Sequence, residues 1–289
     1  MITIIVCAYN EEKRISKAIK SVLCQISNKD EIIVVSSGSI DNTNKIVREL
    51  SKKDKRIKLI IEKERKGKSS AINLAIKKAK SNIIIATDGD VELSKGAINL
   101  LIKHFKDPKI GAVSGNPIPI IPSTNIFHDW TIMSYRKSGE IREKETKEGT
   151  FWHLSGYLLA FRKEALKKVP FAKGAVDAKM GMIIKEKGYK IVYEPNAFVY
   201  VKCPTNIHDF VAQKARVRAG YTNMPKGPRT MVGEILYLPD EILKIPINRL
   251  PAFLFSGCIY LYSWCKGKYM AIMDKPLNEI WKTPESTKR

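Results

Sequence analysis

Two carboxylates flank one glycine at Asp88-Gly89-Asp90, directly after the apolar run 82–87. Like charges this close repel unless a cation lies between them, and oxygen donors suit a hard divalent ion. Mg2+ or Mn2+ held by Asp88 and Asp90 would keep open positions for a diphosphate. The bland alternative is a triplet that caps the next helix. Arg65-Lys66-Gly67-Lys68-Ser69-Ser70 offers cations, a flexible glycine and a helix start. Phosphate is bound by such a combination, with Lys68 as a point charge, although a solvated basic turn reads the same way. The spacing is not that of a Walker loop. Asp177, after Gly174-Ala175-Val176, is either an N-cap or a general base facing the same cleft. Gln213 and Arg216, three apart, share one helical face. They either belong to a basic surface or close the phosphate end of a site.

The elements that must carry these groups follow from periodicity. Residues 2–8, 31–35, 57–61 and 82–87 are β-branched, apolar runs, as in strands buried on both faces. Between them, Ile15, Ala18, Ile19, Val22 and Leu23 lie at helical spacing after Asn10-Glu11-Glu12. Asp41 is an N-cap candidate for a helix through Leu50, and 68–80 reads as a third helix. The βαβαβαβ alternation predicts an α/β fold with a mostly parallel sheet flanked by helices, ligands lying beyond the strand C-termini. Tyr9–Glu12, Ser36–Asp41 and Asp88–Asp90 all stand at such ends and should meet on one edge. Further on, helices are expected over 95–105, 126–144, from 163, over 177–187 (stopped by Gly188) and over 206–219. Strands are expected over 110–115 and 191–201, with a strand-like run at 151–161. The rhythm ends near Pro204, dividing the chain into 1–204 and a helical segment 205–289. Five prolines (225, 228, 239, 246 and 251) predict short helices there.

Of the 289 residues, 44% are apolar and 28% charged, which excludes a disordered chain and a polytopic membrane protein. The net charge of +22 splits as +15 over 1–201 and +7 over 202–289, so there is no basic nucleic-acid arm. Such a field attracts anions, whether nucleotide, phospholipid or nucleic acid. Five cysteines at irregular spacing, none in a CxxC pair, are expected to be free buried thiols in a reducing compartment, and four histidines argue against zinc. Residues from Met1 run straight into a strand, so no signal peptide is expected.

Taken in order, Ala8-Tyr9-Asn10-Glu11-Glu12, 34–43, 66–73, Asp88-Gly89-Asp90, Ser155-Gly156 with 161–166, Asp177 and Gln213-Lys214-Ala215-Arg216 resemble the family 2 glycosyltransferases. The resemblance spans about residues 1–220 and implies the GT-A fold and a metal-dependent, inverting hexosyl transfer. It implies that Ala8, Tyr9 and Glu11 border the nucleoside and that Asp88 and Asp90 hold the cation against a sugar-nucleotide diphosphate. It also implies that Asp177 deprotonates the acceptor, with Ser36, Lys68, Gln213 and Arg216 completing the donor site. Ser36 stands where the family usually places an acidic residue near the base. Val217 replaces the tryptophan of the Q-x-x-R-W motif. A UDP-sugar donor is expected, with a lipid-linked or polysaccharide-precursor glycan as acceptor in single transfers. The alternatives are a sugar nucleotidyltransferase, whose Gly-rich N-terminal loop is missing, or a non-enzymatic module for anionic lipid or nucleic acid. No nucleic-acid motif is present, and no nucleic-acid partner is expected.

The apolar run Leu250–Cys265, flanked by Arg249 and Lys266, has five aromatic residues. As a helix of about 24 Å it falls short of a ~30 Å hydrocarbon core. It reads either as an interfacial or re-entrant segment or as a helix packed on the core. With Lys214, Arg216, Arg218, Lys226 and Arg229 preceding it, the expectation is peripheral attachment at the cytoplasmic face of the cell membrane, bringing a lipid-linked acceptor to the cleft.

Overall fold

The computed structural model describes residues 1–171, 175–222, 224, 238–273 and 285–287. Gly174, Pro225, Lys226, Pro228 and Arg229, named above, lie outside them. The chain packs as two units, one of residues 1–118, 139–172 and 176–201, the other of 119–138, 173–175 and 202–289.

The first unit holds an eight-stranded sheet. Its strands are β1 (Thr3–Ala8), β2 (Glu31–Ser37), β3 (Ile57–Glu62), β4 (Ile83–Asp88), β5 (Glu92–Leu93), β6 (Ile110–Ile120), β7 (Leu158–Arg162) and β8 (Lys190–Lys202). They run in the order β3-β2-β1-β4-β7-β6-β8-β5. The first four strands are parallel, while β7 is antiparallel to β4 and β6. Helices α1 (Ile15–Leu23), α2 (Thr43–Lys53) and α3 (Lys68–Lys78) make the three crossovers, followed by α4 (Ala97–Ile102) and α6 (Val176–Glu186). The strands alternate strictly between two cores. Ile4, Val6 and Ala8 face one with α1 and α4, whereas Ile5 and Cys7 face the other with α3 and α6. That double burial explains why these strands read as continuous apolar runs.

Local differences from the sequence reading have local causes. α1 begins at Ile15, because Asn10 takes a left-handed φ of 53° and the chain makes a full turn before the helix. Asp41 lies two residues before α2, where its Oδ1 accepts the Thr43 amide at 3.0 Å. Only Leu158–Arg162 of the strand-like run pairs with the sheet.

In the second unit, α7 (Ile207–Thr222) is followed by a turn of helix at 238–242 and by α8 (Leu250–Ile272). Residues of α5 (His128–Lys147) up to Ser138 belong to it as well. Its core stacks Phe127 on Phe210 with ring centroids 4.2 Å apart and packs Trp130 against Phe253. The expectation of short helices here is wrong for α8, which has 23 residues. Pro251 sits in its first turn, where a missing N–H costs nothing. All five cysteines are free, but Cys24, Cys258 and Cys265 are exposed rather than buried.

Candidate active site

Three strand ends and the loops after them make the site in the first unit. The β1 loop is tied to the β2 loop by backbone-to-side-chain bonds. Asn10 N–H donates to Ser39 Oγ, Glu11 N–H to Thr43 Oγ1 and Glu12 N–H to Asp41 Oδ2, at 2.7–3.1 Å. Asn10 Oδ1 accepts the Ile40 amide in return. The polar clusters at 9–12 and 36–43 therefore form one rim, with Ser36 buried beneath it and its hydroxyl on Ser39. Arg65, in the basic loop after β3, lies over the Tyr9 ring with its guanidinium carbon 3.9 Å from the centroid. Burial lowers the Arg65 pKa, and Tyr9 opposes that.

Lys68 is the first residue of α3, so its charge sits at a helix N-terminus, one residue after Gly67 at φ 86°. Its Nζ donates to Asp88 Oδ1 at 2.5 Å and to the Gly156 carbonyl at 2.7 Å. Burial opposes the ammonium charge, but Asp88, Cys7 and Asp177 hold Lys68 well above the usual lysine range. Gly156 places Asp177 in the same group. A methyl at residue 156 would lie 3.4 Å from the Asp177 carboxyl and 3.4 Å from Lys68 Nζ. Burial raises the Asp177 pKa, Lys68 pulls it back, and Asp88 adds to the rise. Asp177 is the second residue of α6, inside its first turn and not at the residue before the helix.

Asp90 is pushed up to about 6, first by burial and then by the negative charge of Asp88, with Arg14 and Lys68 opposing. Two carboxylates, one of them destabilised by the other, form an oxygen donor set that suits a hard divalent cation. The pair fits Mg2+ or Mn2+ only if most ligands come from elsewhere. Among the described residues no group of three or more His, Cys, Asp or Glu side chains could hold a metal by itself. A diphosphate is the natural source of the rest. Cys7, near the end of β1 and beside this cluster, is raised to about 12 by burial, which disfavours its thiolate.

Ala8, Tyr9, Glu11, Ser36, Lys68, Asp88, Asp90 and Asp177 thus all stand at this end of one sheet. Gln213, buried, and Arg216, half-buried, belong to α7 of the other unit. Arg14 is a functional candidate that the sequence reading missed. It is 8% exposed, its Nη1 reaches the Asp90 carbonyl at 3.5 Å, and its Nε and Nη2 are buried without hydrogen bonds. The available signal was its place four residues before Ala18, in line with the inward stripe of the amphipathic helix that follows, where a charge is out of place.

A sequence model of glycosyl transferase family 2 matches residues 3–170. The chain belongs to this family. It is 30% identical over 223 residues to poly-beta-1,6-N-acetyl-D-glucosamine synthases of Staphylococcus aureus and Staphylococcus epidermidis, covering 76% of this chain and 54% of theirs. The chain therefore spans about half the length of these curated relatives. Among solved structures it is similar to the mannosyltransferase PcManGT from Pyrobaculum calidifontis in complex with GDP-Man and Mn2+. That likeness has a TM-score of 0.70 and 21% identity, covering 95% of this chain and 88% of that one. It is also similar to a TarS fragment from S. aureus in complex with UDP-GlcNAc, with a TM-score of 0.53, 16% identity and coverage of 95% and 92%. At these identities the likeness shows the fold, and the fold is GT-A-like. As a member of family 2, the chain is built on a mixed sheet whose first four strands are parallel and whose strand β7 runs antiparallel to its neighbours, with helices α7 and α8 among the described residues of its C-terminal part.

Proposed function

We propose that this glycosyltransferase moves a hexosyl group from a nucleoside-diphosphate sugar to an acceptor hydroxyl, one sugar at a time, with inversion at the anomeric carbon. The observation that carries the reading is the grouping of Asp177, Lys68 and Asp88 around Gly156, beside Asp90. Tyr9, Glu11 and Ser36 border the nucleoside. Asp88 and Asp90 would hold Mg2+ or Mn2+, whose chemistry when bound is to offset the charge of the leaving diphosphate. Lys68 and the α3 N-terminus stabilise the same negative charge. Asp177 takes the acceptor hydroxyl proton as the new C–O bond forms and the bond to the diphosphate breaks. Because burial raises its pKa, Asp177 is a stronger base than an exposed aspartate. Gln213 and Arg216 are assigned to the diphosphate, on the resemblance of their motif alone.

UDP-N-acetylglucosamine is the first donor to test. The curated relatives are named for N-acetylglucosamine polymers, and one structural neighbour was solved with UDP-GlcNAc. GDP-mannose, present in another neighbour, is the competitor. The acceptor class is a lipid-linked glycan or polysaccharide precursor. A panel of UDP- and GDP-sugars, assayed for hydrolysis and for thermal stabilisation with and without Mn2+, tests the proposal. Metal-dependent turnover of one donor supports it. Stabilisation by no sugar nucleotide would overturn it.

A further inference from the structure

Helix α8 is apolar on two sides, and among the described residues only one side is covered. Inward, Phe253, Ser256, Ser263 and Gly267 are buried. The small residues admit close neighbours, since a methyl at 267 would lie 2.4 Å from the Ala215 carbonyl of α7, and one at 257 would lie 2.7 Å from the Trp130 ring. Outward, Leu254, Phe255, Leu261, Tyr262, Tyr269 and Ile272 are exposed, from 43% at Leu261 to 71% at Ile272. At about 100° per residue these six fall within an arc of about 120°, with Lys268 about 20° beyond one edge and Lys266 about 20° beyond the other. Cys258 and Cys265 lie inside the arc and are exposed. Helices apolar all round are ordinarily buried all round, so water is the wrong neighbour for this face.

We propose that this outer face of α8 seats on an anionic lipid bilayer, the helix lying in the plane of the interface. Three observations select lipid. Residues 242–273 hold Lys244, Arg249, Lys266 and Lys268 and no acidic residue, which complements an anionic surface. The two lysines edging the stripe can lay their stems along the acyl boundary and keep their ammonium groups among the headgroups. Tyrosine, phenylalanine and leucine are the residue types that such interfacial helices present. No helix among the described residues is long and apolar enough to cross a membrane. Self-association through this face would bring the Lys266 and Lys268 rows of two copies together, a like-charge contact. Ile247 and Leu243, just before α8, are also exposed, at 88% and 86%.

The native cysteines make the test. The full chain is mixed with phosphatidylcholine vesicles with and without phosphatidylglycerol, and binding is read by flotation. Maleimide labelling of Cys258 and Cys265 is followed against Cys24, which is exposed in the other unit. Anionic vesicles should bind the chain, less so at high salt, and slow labelling of Cys258 and Cys265 by about tenfold or more while Cys24 labels as before. The exposed-site variant Leu254→Glu/Leu261→Glu should melt like the parent and bind vesicles ~100-fold more weakly, from the loss of two buried leucines. Absence of vesicle binding would overturn the proposal, as would equal binding to neutral vesicles. So would protection of the two cysteines without lipid, whether by a second copy or by residues 225–237 or 274–284. Sugar-nucleotide turnover in solution is a separate readout, so failure of vesicle binding and failure of the transferase reading are distinguishable.

Discussion

Replacing Asp90 by asparagine should stabilise the protein while removing its response to metal. In the folded chain this carboxyl is held at about 6, against 3.8 unfolded, by burial and by Asp88. A folded-state pKa above the unfolded one means that ionisation is penalised in the fold. The stability is therefore present at low pH and is lost as pH rises from about 4 through about 6. Holding the ionised group at neutral pH costs roughly 3 kcal/mol. Asparagine keeps the shape and the hydrogen-bonding reach without the charge, so Asp90→Asn should recover a good part of that. Equilibrium unfolding in EDTA is the assay. At pH 7.5 the variant should be the more stable, and near pH 4 the two proteins should converge. Added Mn2+ with a sugar nucleotide should close most of that gap, because a ligand at a hundred times its Kd stabilises the parent by about 2.7 kcal/mol. Asp90→Asn should lose that gain. A variant less stable than the parent at pH 7.5 in EDTA, or one that keeps the full Mn2+ shift, would refute the like-charge argument.

The other predictions concern neighbouring groups. Asp177→Asn should bind sugar nucleotide normally while turnover falls by ~10²–10⁴. In the parent, turnover should fall with decreasing pH at a point above the ordinary aspartate range, which a pH–rate profile checks. Gly181→Ala should cost several kcal/mol and lower soluble yield, because its methyl would lie 1.8 Å from the Trp152 carbonyl oxygen and drive α6, with Asp177, away from residue 152. Lys68→Met should leave Asp88 without its ammonium partner; a weaker dependence of donor affinity on the diphosphate, measured with UDP against UMP, is the expected result. Arg14→Met should raise the melting temperature, since it removes a buried guanidinium with two unbonded nitrogens, and a fall would show that the contact with the Asp90 loop outweighs that burial.

Most of the site's end of the sheet is written locally. Strand type at 3–8, 31–37 and 83–88 follows from β-branched runs long enough to be buried on both faces. The right-handed βαβ rule then puts their C-terminal ends on one edge. That alone gathers Tyr9, Ser36 and Asp88, because each stands within a residue or two of a strand end. Asp177 is different. It reaches Lys68 through a chain excursion of more than a hundred residues, and only tertiary packing around Gly156 decides that proximity. The same holds for Arg14, whose burial under Asp90 depends on how α1 lies beside the 88–90 turn. Composition identified 250–265 as apolar, but an apolar run carries no information about which side is covered. Contact of Phe253 with Trp130, and of Gly267 with α7, used one face of α8 for the core and left the other outside. Periodicity is a property of the segment and survives in the sequence. Partnership is a property of the packed chain, because each contact depends on residues too distant to be read together.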